Sequence, residues 1–307
     1  MISVHNLTKR YGEKLAVDAL TFIVRPGVVT GFLGPNGAGK STTMRMIAGL
    51  DRPTSGRALV DDRPYVDDPA PLGRVGLLLE AKAVHTSRTA RNHLRALAAT
   101  HGFGRRRVEE VIELTGLQDV ADKRVGGFSL GMGQRLGIAS ALLGDPANLV
   151  LDEPVNGLDP EGVLWMRRLL RGLAAEGRTI LLSSHLMSEM AMTADHLIVI
   201  GRGRLIADLP VEELTAQASH GHVRVRTPDA ASLAELLAGS GVNVEAPAGD
   251  LLEVTGLESE AIGELARRHD LPLYELTPVR ASLEDAFMEL TRDAVEYHAA
   301  DITEVVA

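Results

Sequence analysis

The stretch GFLGPNGAGKSTTMRMIAGL, residues 31–50, constrains the fold more than any other part of this chain. A short β-branched apolar run, GVVTGFL, leads into its glycines, and the run after them has apolar residues at helical spacing. The glycines therefore lie at a turn from a strand to a helix. Gly34, four further residues, Gly39, Lys40 and Ser41 fit the pattern G-x-x-x-x-G-K-[ST], which predicts a loop that holds a nucleoside triphosphate.

The residue types in this loop suit an anion. Glycines leave backbone N–H groups free to surround a phosphate, and the helix that follows points its N-terminus at the same anion. Lys40 is expected at the terminal phosphates, Ser41 at Mg²⁺ and Thr42 at the α-phosphate. An ordinary glycine-rich turn would not require Lys40 and Ser41 at these offsets. The loop residues expected to contact nucleotide are Gly34, Pro35, Asn36, Gly37, Ala38 and Gly39.

Composition limits the classes of function that this chain can have. It contains no cysteine, which excludes disulfides, zinc–thiolate sites and a cysteine nucleophile. Its first residues lack the apolar core of a signal peptide, and no apolar run approaches the roughly 18 residues that span a bilayer. We therefore expect a chain that is soluble on its own. Residues 215–307 hold 6 Arg, no Lys and 17 Asp or Glu, a net charge of −11, which disfavours a nucleic-acid partner.

Apolar runs and helical patterns alternate along the first two thirds of the chain. The strand-like runs are VVTGFL, RVGLLL, NLVLDE, TILLSS and HLIVI, and the helical patterns cover about 88–101, 105–115, 129–143 and 160–176. This alternation predicts an α/β fold with a mostly parallel sheet. Two extended segments around Gly12 predict an antiparallel flank, and a helical insert is expected at about 82–145.

The character of the sequence changes after about residue 217. Patterns in the order β-α-β-α-β-α predict a small α+β domain. We expect a first domain over 1–215, an accessory domain over 220–295, and a flexible tail over 296–307.

Three further segments carry chemistry. Asp152 and Glu153 end an apolar strand, where one carboxylate can hold Mg²⁺ and the next can deprotonate an attacking water. Ser129 precedes a helical pattern that contains glycines at 131, 133 and 137, which suits close approach to a phosphate, although Ser129 also fits a simple N-cap. His185 follows another strand, at the end of the sheet where α/β proteins bind ligands.

Together these motifs resemble those of the ATP-binding cassette (ABC) ATPases, the nucleotide-binding subunits of ABC transporters, over residues 1 to about 215. Gly34–Thr42 is similar to the Walker A loop, Asp152 and Glu153 to Walker B and the catalytic glutamate, and SLGMGQR from Ser129 to the signature motif. Gly157, Leu158 and Asp159 are similar to the D-loop, His185 to the switch histidine and Tyr11 to the aromatic that stacks on adenine.

The resemblance implies a P-loop ABC ATPase fold with ATP and Mg²⁺ as ligands. It also implies a head-to-tail dimer, in which Ser129 and Gly131 of one copy, with Asp159 near the seam, complete the ATP site of the other. A separate polytopic permease would place the chain in the cytoplasm, on the inner face of the membrane. Glu80 stands where the family has a glutamine that contacts Mg²⁺, so a metal role is expected for Glu80 beside Ser41 and Asp152.

The SLGM signature and the acidic C-terminal region are similar to those of the drug-export and ABC-2-type group. They favour a subunit that exports a drug-like or hydrophobic compound. An importer cassette with a regulatory tail and a cytosolic, non-transport ABC ATPase remain alternatives. A P-loop GTPase is disfavoured because the sequence has no N-K-x-D guanine-binding motif.

Overall fold

The computed structural model describes residues 1–79, 84–217, 222–239, 241–279 and 282–291. Glu80, the end of the predicted accessory domain and the predicted tail lie outside the described residues. The chain divides into two compact units. One spans Met1–Val211 and also includes Leu290 and Thr291, and the other spans Glu212–Glu289. The domain limits expected from the sequence remain a prediction.

The first unit combines a mostly parallel sheet, an antiparallel sheet and helices. Its strands are β1 (Ile2–Tyr11), β2 (Lys14–Val24), β3 (Val29–Leu33), β4 (Ser55–Val60), β5 (Val75–Leu78), β6 (Asn148–Leu151), β7 (Thr179–Ser183), β8 (His196–Gly201) and β9 (Arg204–Pro210). Its helices are α1 (Lys40–Ile47), α2 (Ala90–Thr100), α3 (Arg105–Leu114), α4 (Leu130–Leu142), α5 (Pro160–Ala175) and α6 (Met187–Thr193).

The main sheet has the strand order β5-β6-β7-β3-β8-β9, and its pairs are parallel except for β8 with β9. Every residue of β3, β6 and β7 is buried. Strands covered on both faces need continuous apolar runs rather than alternation, which is why these segments are conspicuous in the sequence. β3 lies between β7 and β8, so the segments that follow β3, β6 and β7 meet at one edge of the sheet.

The antiparallel sheet has the order β2-β1-β4, with a turn between β1 and β2 at Gly12, whose φ is 57°. Its inner side chains share a core with α1 and the main sheet, including Leu7, Phe22, Met44 and Ile198. Between β5 and β6 lie α2, α3 and α4, where the helical insert is predicted. The mostly parallel sheet with an antiparallel flank and a helical insert, expected from the sequence, is confirmed.

The second unit is a small α+β structure. Its elements, with the helix that opens it, are α7 (Val211–Gln217), β10 (His222–Arg226), α8 (Ala230–Leu237), β11 (Asn243–Ala248), β12 (Leu251–Thr255), α9 (Ser259–Arg268), β13 (Glu275–Val279) and α10 (Leu283–Thr291). The strand order is β11-β12-β10-β13, with all pairs antiparallel. Val223, Val225, Leu252 and Val254 form the core with α8 and α9. This is the β-α-β-β-α-β arrangement known as ferredoxin-like.

The predicted order β-α-β-α-β-α is wrong in one place, because it lacks β11. This strand lies at an edge of the sheet, and most of its residues are exposed. Its sequence, NVEAPA, has one β-branched residue, two alanines of low strand propensity and a proline, which edge strands tolerate, so the strand signal is weak. Strand β4 was not predicted either, and the first half of this strand is exposed.

Candidate active site

The phosphate-binding loop joins β3 to α1, and glycine is required at both of its ends. A Cβ on Gly34 would lie 2.4 Å from the carbonyl oxygen of Ile200. Gly39 has a φ of 102°, and a Cβ there would lie 2.6 Å from the carbonyl oxygen of Ala16. Neither approach leaves room for a side chain. The loop therefore keeps a bare backbone ahead of the α1 N-terminus, as an anion-binding loop requires.

Lys40 begins α1, and its ammonium group lies back over the loop. Nζ donates to the carbonyl oxygens of Gly34, at 2.5 Å, and Pro35, at 3.3 Å. Burial lowers the pKa of Lys40, and the nearby charges of Glu153 and Asp152 act in the opposite direction. Burial removes part of the hydration that stabilises the Lys40 ammonium. A bound phosphate would stabilise the ammonium again, because it brings a negative charge close to it.

Asp152 follows β6 and accepts hydrogen bonds from two hydroxyls. Ser41 Oγ donates to Oδ2 at 2.8 Å, and Ser183 Oγ, at the end of β7, donates to Oδ1. A carboxylate and a hydroxyl at this separation fit Mg²⁺, which binds oxygen ligands and takes one or two protein groups beside substrate phosphates. Within the described residues, no group of three or more His, Asp or Glu could hold a metal.

Glu153 has a left-handed backbone, with a φ of 52°. This conformation costs a residue other than glycine about 1–3 kcal/mol, so its surroundings must hold it. The Glu153 N–H donates to Ser183 Oγ at 3.0 Å, and its carbonyl oxygen accepts from Gln134 Nε2 at 2.9 Å. Its Oε2 lies 2.7 Å from Nδ1 of His185. That contact requires a proton on Nδ1, which leaves Nε2 of a neutral His185 as an acceptor.

A cavity of about 520 Å³ opens beside the loop. It is lined by Tyr11, Lys14, Ala16, Asn36, Gly37, Ala38, Gly39, Lys40, Ser41, Thr42, Asp152 and Glu153. Nine of the residues expected to bind nucleotide or Mg²⁺ thus come together at one cavity with Glu153, whereas Gly34, Pro35 and His185 are not among its lining residues. A cavity of about 600 Å³ in the second unit is larger, but its lining includes Glu245 and Glu253, which would repel a phosphate.

Ser129, Gly131 and Asp159 lie at a different cavity, of about 460 Å³. Ser129 Oγ accepts from the Met132 N–H at 3.2 Å and caps α4, and Asp159 Oδ1 accepts from the Gly162 N–H at 2.9 Å and caps α5. Among the residues that the structure describes, none lines both cavities. The structure therefore separates these three residues from the phosphate-binding loop of the same chain.

Comparisons with known proteins agree with this geometry. The family described as "ABC transporter" matches residues 17–156, and a domain of unknown function matches residues 221–284. The bacitracin transport ATP-binding protein BcrA of Bacillus licheniformis is 44% identical over 217 residues, 70% of this chain and 71% of that protein. The chain belongs to the ABC transporter ATP-binding proteins.

Two further comparisons extend this result. Nod factor export ATP-binding protein I of Burkholderia orbicola is 36% identical to this chain. The match covers 94% of this chain and 96% of the Burkholderia protein. A bacterial ABC transporter cassette solved as a dimer has a TM-score of 0.64 and 25% identity, over 69% of this chain and 99% of that structure. The first shows that similarity to this family continues through the second unit, and the second shows the cassette fold.

The contacts that Ser183 and Gln134 make with Glu153 in this site were not predicted from the sequence. Ser183 is fully buried, and Gln134 is 4% exposed. Each contacts Glu153 across a long sequence separation, which no local pattern indicates. Ser183 does end a predicted strand, and Gln134 does lie in the signature-like segment, so the fold topology could have directed attention to both.

Tyr11 lines the cavity of about 520 Å³, where it is 47% exposed. Its hydroxyl donates to Asp51 Oδ2 at 2.9 Å, and the Lys9 ammonium lies 4.7 Å from the ring centroid. These contacts hold the ring at the cavity and leave part of its surface open.

We expect Tyr11→Ala to weaken ATP and GTP binding alike, about 5- to 150-fold, the equivalent of about 1–3 kcal/mol of base–aromatic stacking. Tyr11→Phe keeps the ring and should bind nearly as wild type does. Calorimetric titration with both nucleotides measures this. Unchanged affinity in Tyr11→Ala would leave the tyrosine as a packed turn residue only.

In the described part of the chain, no helix is long and apolar enough to cross a membrane.

Proposed function

We propose that this ABC chain is the ATP-hydrolysing subunit of an exporter and works as a head-to-tail dimer. The observation that carries the proposal is the separation of two half-sites within one chain. One cavity has the phosphate-binding loop, Asp152 and Glu153, and the other has Ser129 and Gly131 at the start of α4. Two copies related by a two-fold axis would join each half-site to its complement.

Each residue of the first half-site has a proposed role. The loop N–H groups and Lys40 bind the phosphates, and Ser41 and Asp152 hold Mg²⁺. Mg²⁺, when bound, supplies positive charge that neutralises phosphate oxygens. Glu153 takes a proton from the attacking water, and His185, held at Nδ1 by the Glu153 carboxylate, donates from Nε2–H to the γ-phosphate, which requires an imidazole ring protonated on both nitrogens. Glu80 is proposed as a further metal contact, from the resemblance alone.

The second half-site contributes to the neighbouring copy. The N-terminus of α4 offers N–H groups and the Ser129 hydroxyl to the γ-phosphate, and Asp159 lies beside it at the seam. ATP then binds the closed dimer more tightly than the open one, so hydrolysis releases the two copies. A solved cassette of the same fold is dimeric, which supports the association of two copies.

Export is proposed from the relatives, whose names describe bacitracin transport and Nod factor export. The transported compound of this chain is proposed to be drug-like or hydrophobic. A separate polytopic permease carries it across the membrane, with this chain on the cytoplasmic face.

The partner is tested by extracting membranes from the native host with mild detergent and purifying the tagged chain. We expect a polytopic protein to co-purify with it, in a complex whose ATPase rate responds to the exported compound. Recovery of the chain from the soluble fraction, with no polytopic protein bound, would favour the cytosolic alternative. Accumulation of compound inside ATP-energised vesicles that display this chain on their inner face would favour the importer.

The second unit is proposed to be an accessory domain that takes no part in ATP chemistry. We expect a chain shortened to residues 1–217 to bind ATP within about threefold of the full chain, because the lining of the 520 Å³ cavity ends at Glu153. Calorimetry on both chains measures the affinity, and circular dichroism confirms folding. A folded but non-binding short chain would contradict this proposal.

A further inference from the structure

The peptide groups on both sides of Glu153 are held by side chains from two other elements. Ser183, at the end of β7, accepts a hydrogen bond from the Glu153 N–H at 3.0 Å. Gln134, on α4, donates to the Glu153 carbonyl oxygen at 2.9 Å, and the same oxygen accepts a longer hydrogen bond from the Asn156 N–H at 3.2 Å. Both side chains are buried, so water cannot replace either hydrogen bond. The residue between them has the strained φ of 52°.

Gln134 belongs to the helix that begins with the signature-like motif. It lies three residues after Gly131, on the same side of α4. Gly131 is packed so closely that a Cβ there would lie 2.9 Å from the carbonyl oxygen of Gly157. Leu130 occupies the space over Gly157, where a Cβ would lie 2.3 Å from the leucine side chain.

The next residue of α4 extends the same contact surface. The guanidinium carbon of Arg135 lies 4.5 Å from the ring centroid of Trp165 on α5. Residues 130, 131, 134 and 135 thus contact the segment from Glu153 to Trp165 along its length.

We propose that Gln134 is a positioning residue for the general base. It fixes the backbone of Glu153 and connects it to the signature end of α4 in the same chain. This inference rests on the proposed function, in which that end of α4 binds the ATP of the other copy. When the signature end of α4 binds the partner's ATP, its position then affects Glu153 of the same chain as that α4, through Gln134. A residue at a strained backbone moves readily when one of its supports is lost, which is why this hydrogen bond matters for catalysis.

The test removes the donor and keeps the shape of the side chain. Gln134→Met has similar volume and no N–H, and Gln134→Glu places an acceptor against an acceptor. We expect kcat about tenfold lower in Gln134→Met and lower still in Gln134→Glu, with the ATP affinity within about twofold of wild type. Gln118→Met is the matched control, since that amide also donates to a backbone carbonyl, Glu113 O at 3.5 Å, away from the site.

A packing role and a positioning role predict different results. Parallel losses of kcat, ATP affinity and thermal midpoint in both variants, or loss of folding in both, would show that Gln134 only fills the core. Wild-type kcat in either folded variant would also overturn the proposal. A selective loss of kcat supports it.

A double mutant connects the effect to Glu153. If Gln134 acts through Glu153, adding Gln134→Met to Glu153→Gln should leave the residual rate of the single mutant unchanged within about twofold. A further tenfold loss would mean that Gln134 acts elsewhere. The Glu153→Gln single mutant separates the two proposals. If it turns over like wild type, the proposed function fails first, and if it is inactive while Gln134→Met is fully active, only this inference fails.

Discussion

Glu153→Gln should lower the ATPase rate by about 100-fold or more while ATP binding persists, because an amide cannot accept a proton from water. The substitution keeps the size of the side chain, and the amide can still form a hydrogen bond with Nδ1 of His185, which the carboxylate contacts at 2.7 Å. The backbone of Glu153 donates to Ser183 and accepts from Gln134 and from the Asn156 N–H, and none of these hydrogen bonds involves the carboxylate. The local fold should therefore survive.

The same variant should collect as an ATP-bound dimer. Turnover would no longer remove the γ-phosphate, so the closed state that ATP favours would persist. Size-exclusion chromatography with ATP and Mg²⁺ measures this, with ADP as the negative condition. Trp165 provides a second signal, because it is the single tryptophan and stacks under Arg135 beside the signature end of α4.

Glu113→Gln is the control for Glu153→Gln. It makes the same chemical change on the exposed face of α3 and should leave rate and assembly unchanged. Wild-type turnover in Glu153→Gln would remove Glu153 as the base. An inactive variant that stays monomeric with ATP would retain the base and contradict the dimer.

The parts of the fold that were predictable are those fixed by local patterns. The runs that became β3, β6 and β7 are continuous and apolar because both faces of these strands are covered. The phosphate-binding loop was predictable because its glycines serve a backbone requirement that no other residue meets, as the close approaches at Gly34 and Gly39 show. Edge strand β11 has neither property, and its sequence gave no comparable signal.

The candidate site was predictable as a list of residues and not as a set of contacts. Asp152, Glu153 and His185 each follow a strand, and the order of parallel strands brings them to one edge. The left-handed φ of Glu153 and its supports from Ser183 and Gln134 depend on contacts between residues 19 to 30 positions apart. Such contacts are set by tertiary packing, which a single sequence does not encode in any periodicity.

The second large effect is expected at Gly39. An alanine there would need a φ of 102°, beyond the left-handed region that non-glycine residues enter, and its Cβ would lie 2.6 Å from the Ala16 carbonyl oxygen. The backbone cannot yield without moving Lys40, which follows directly and contacts Gly34 and Pro35. In the free protein the loop can relax to another conformation. The relaxed loop does not surround a phosphate. ATP binding would have to restore the strained conformation, so the affinity for ATP falls.

We expect Gly39→Ala to weaken ATP binding about 100-fold, which corresponds to about 3 kcal/mol of strain that binding must restore. Gly172→Ala is the matched control, because this glycine lies on the exposed face of α5 and an added Cβ meets nothing within 4 Å. That control should keep wild-type affinity and stabilise the fold by up to about 1 kcal/mol through helix propensity. Calorimetry with ATP and thermal melting of both variants measure the two effects. Wild-type ATP affinity in Gly39→Ala would mean that nucleotide does not use this loop conformation. A large fall in melting temperature together with lost affinity would instead place the strain in the folded core around Ala16.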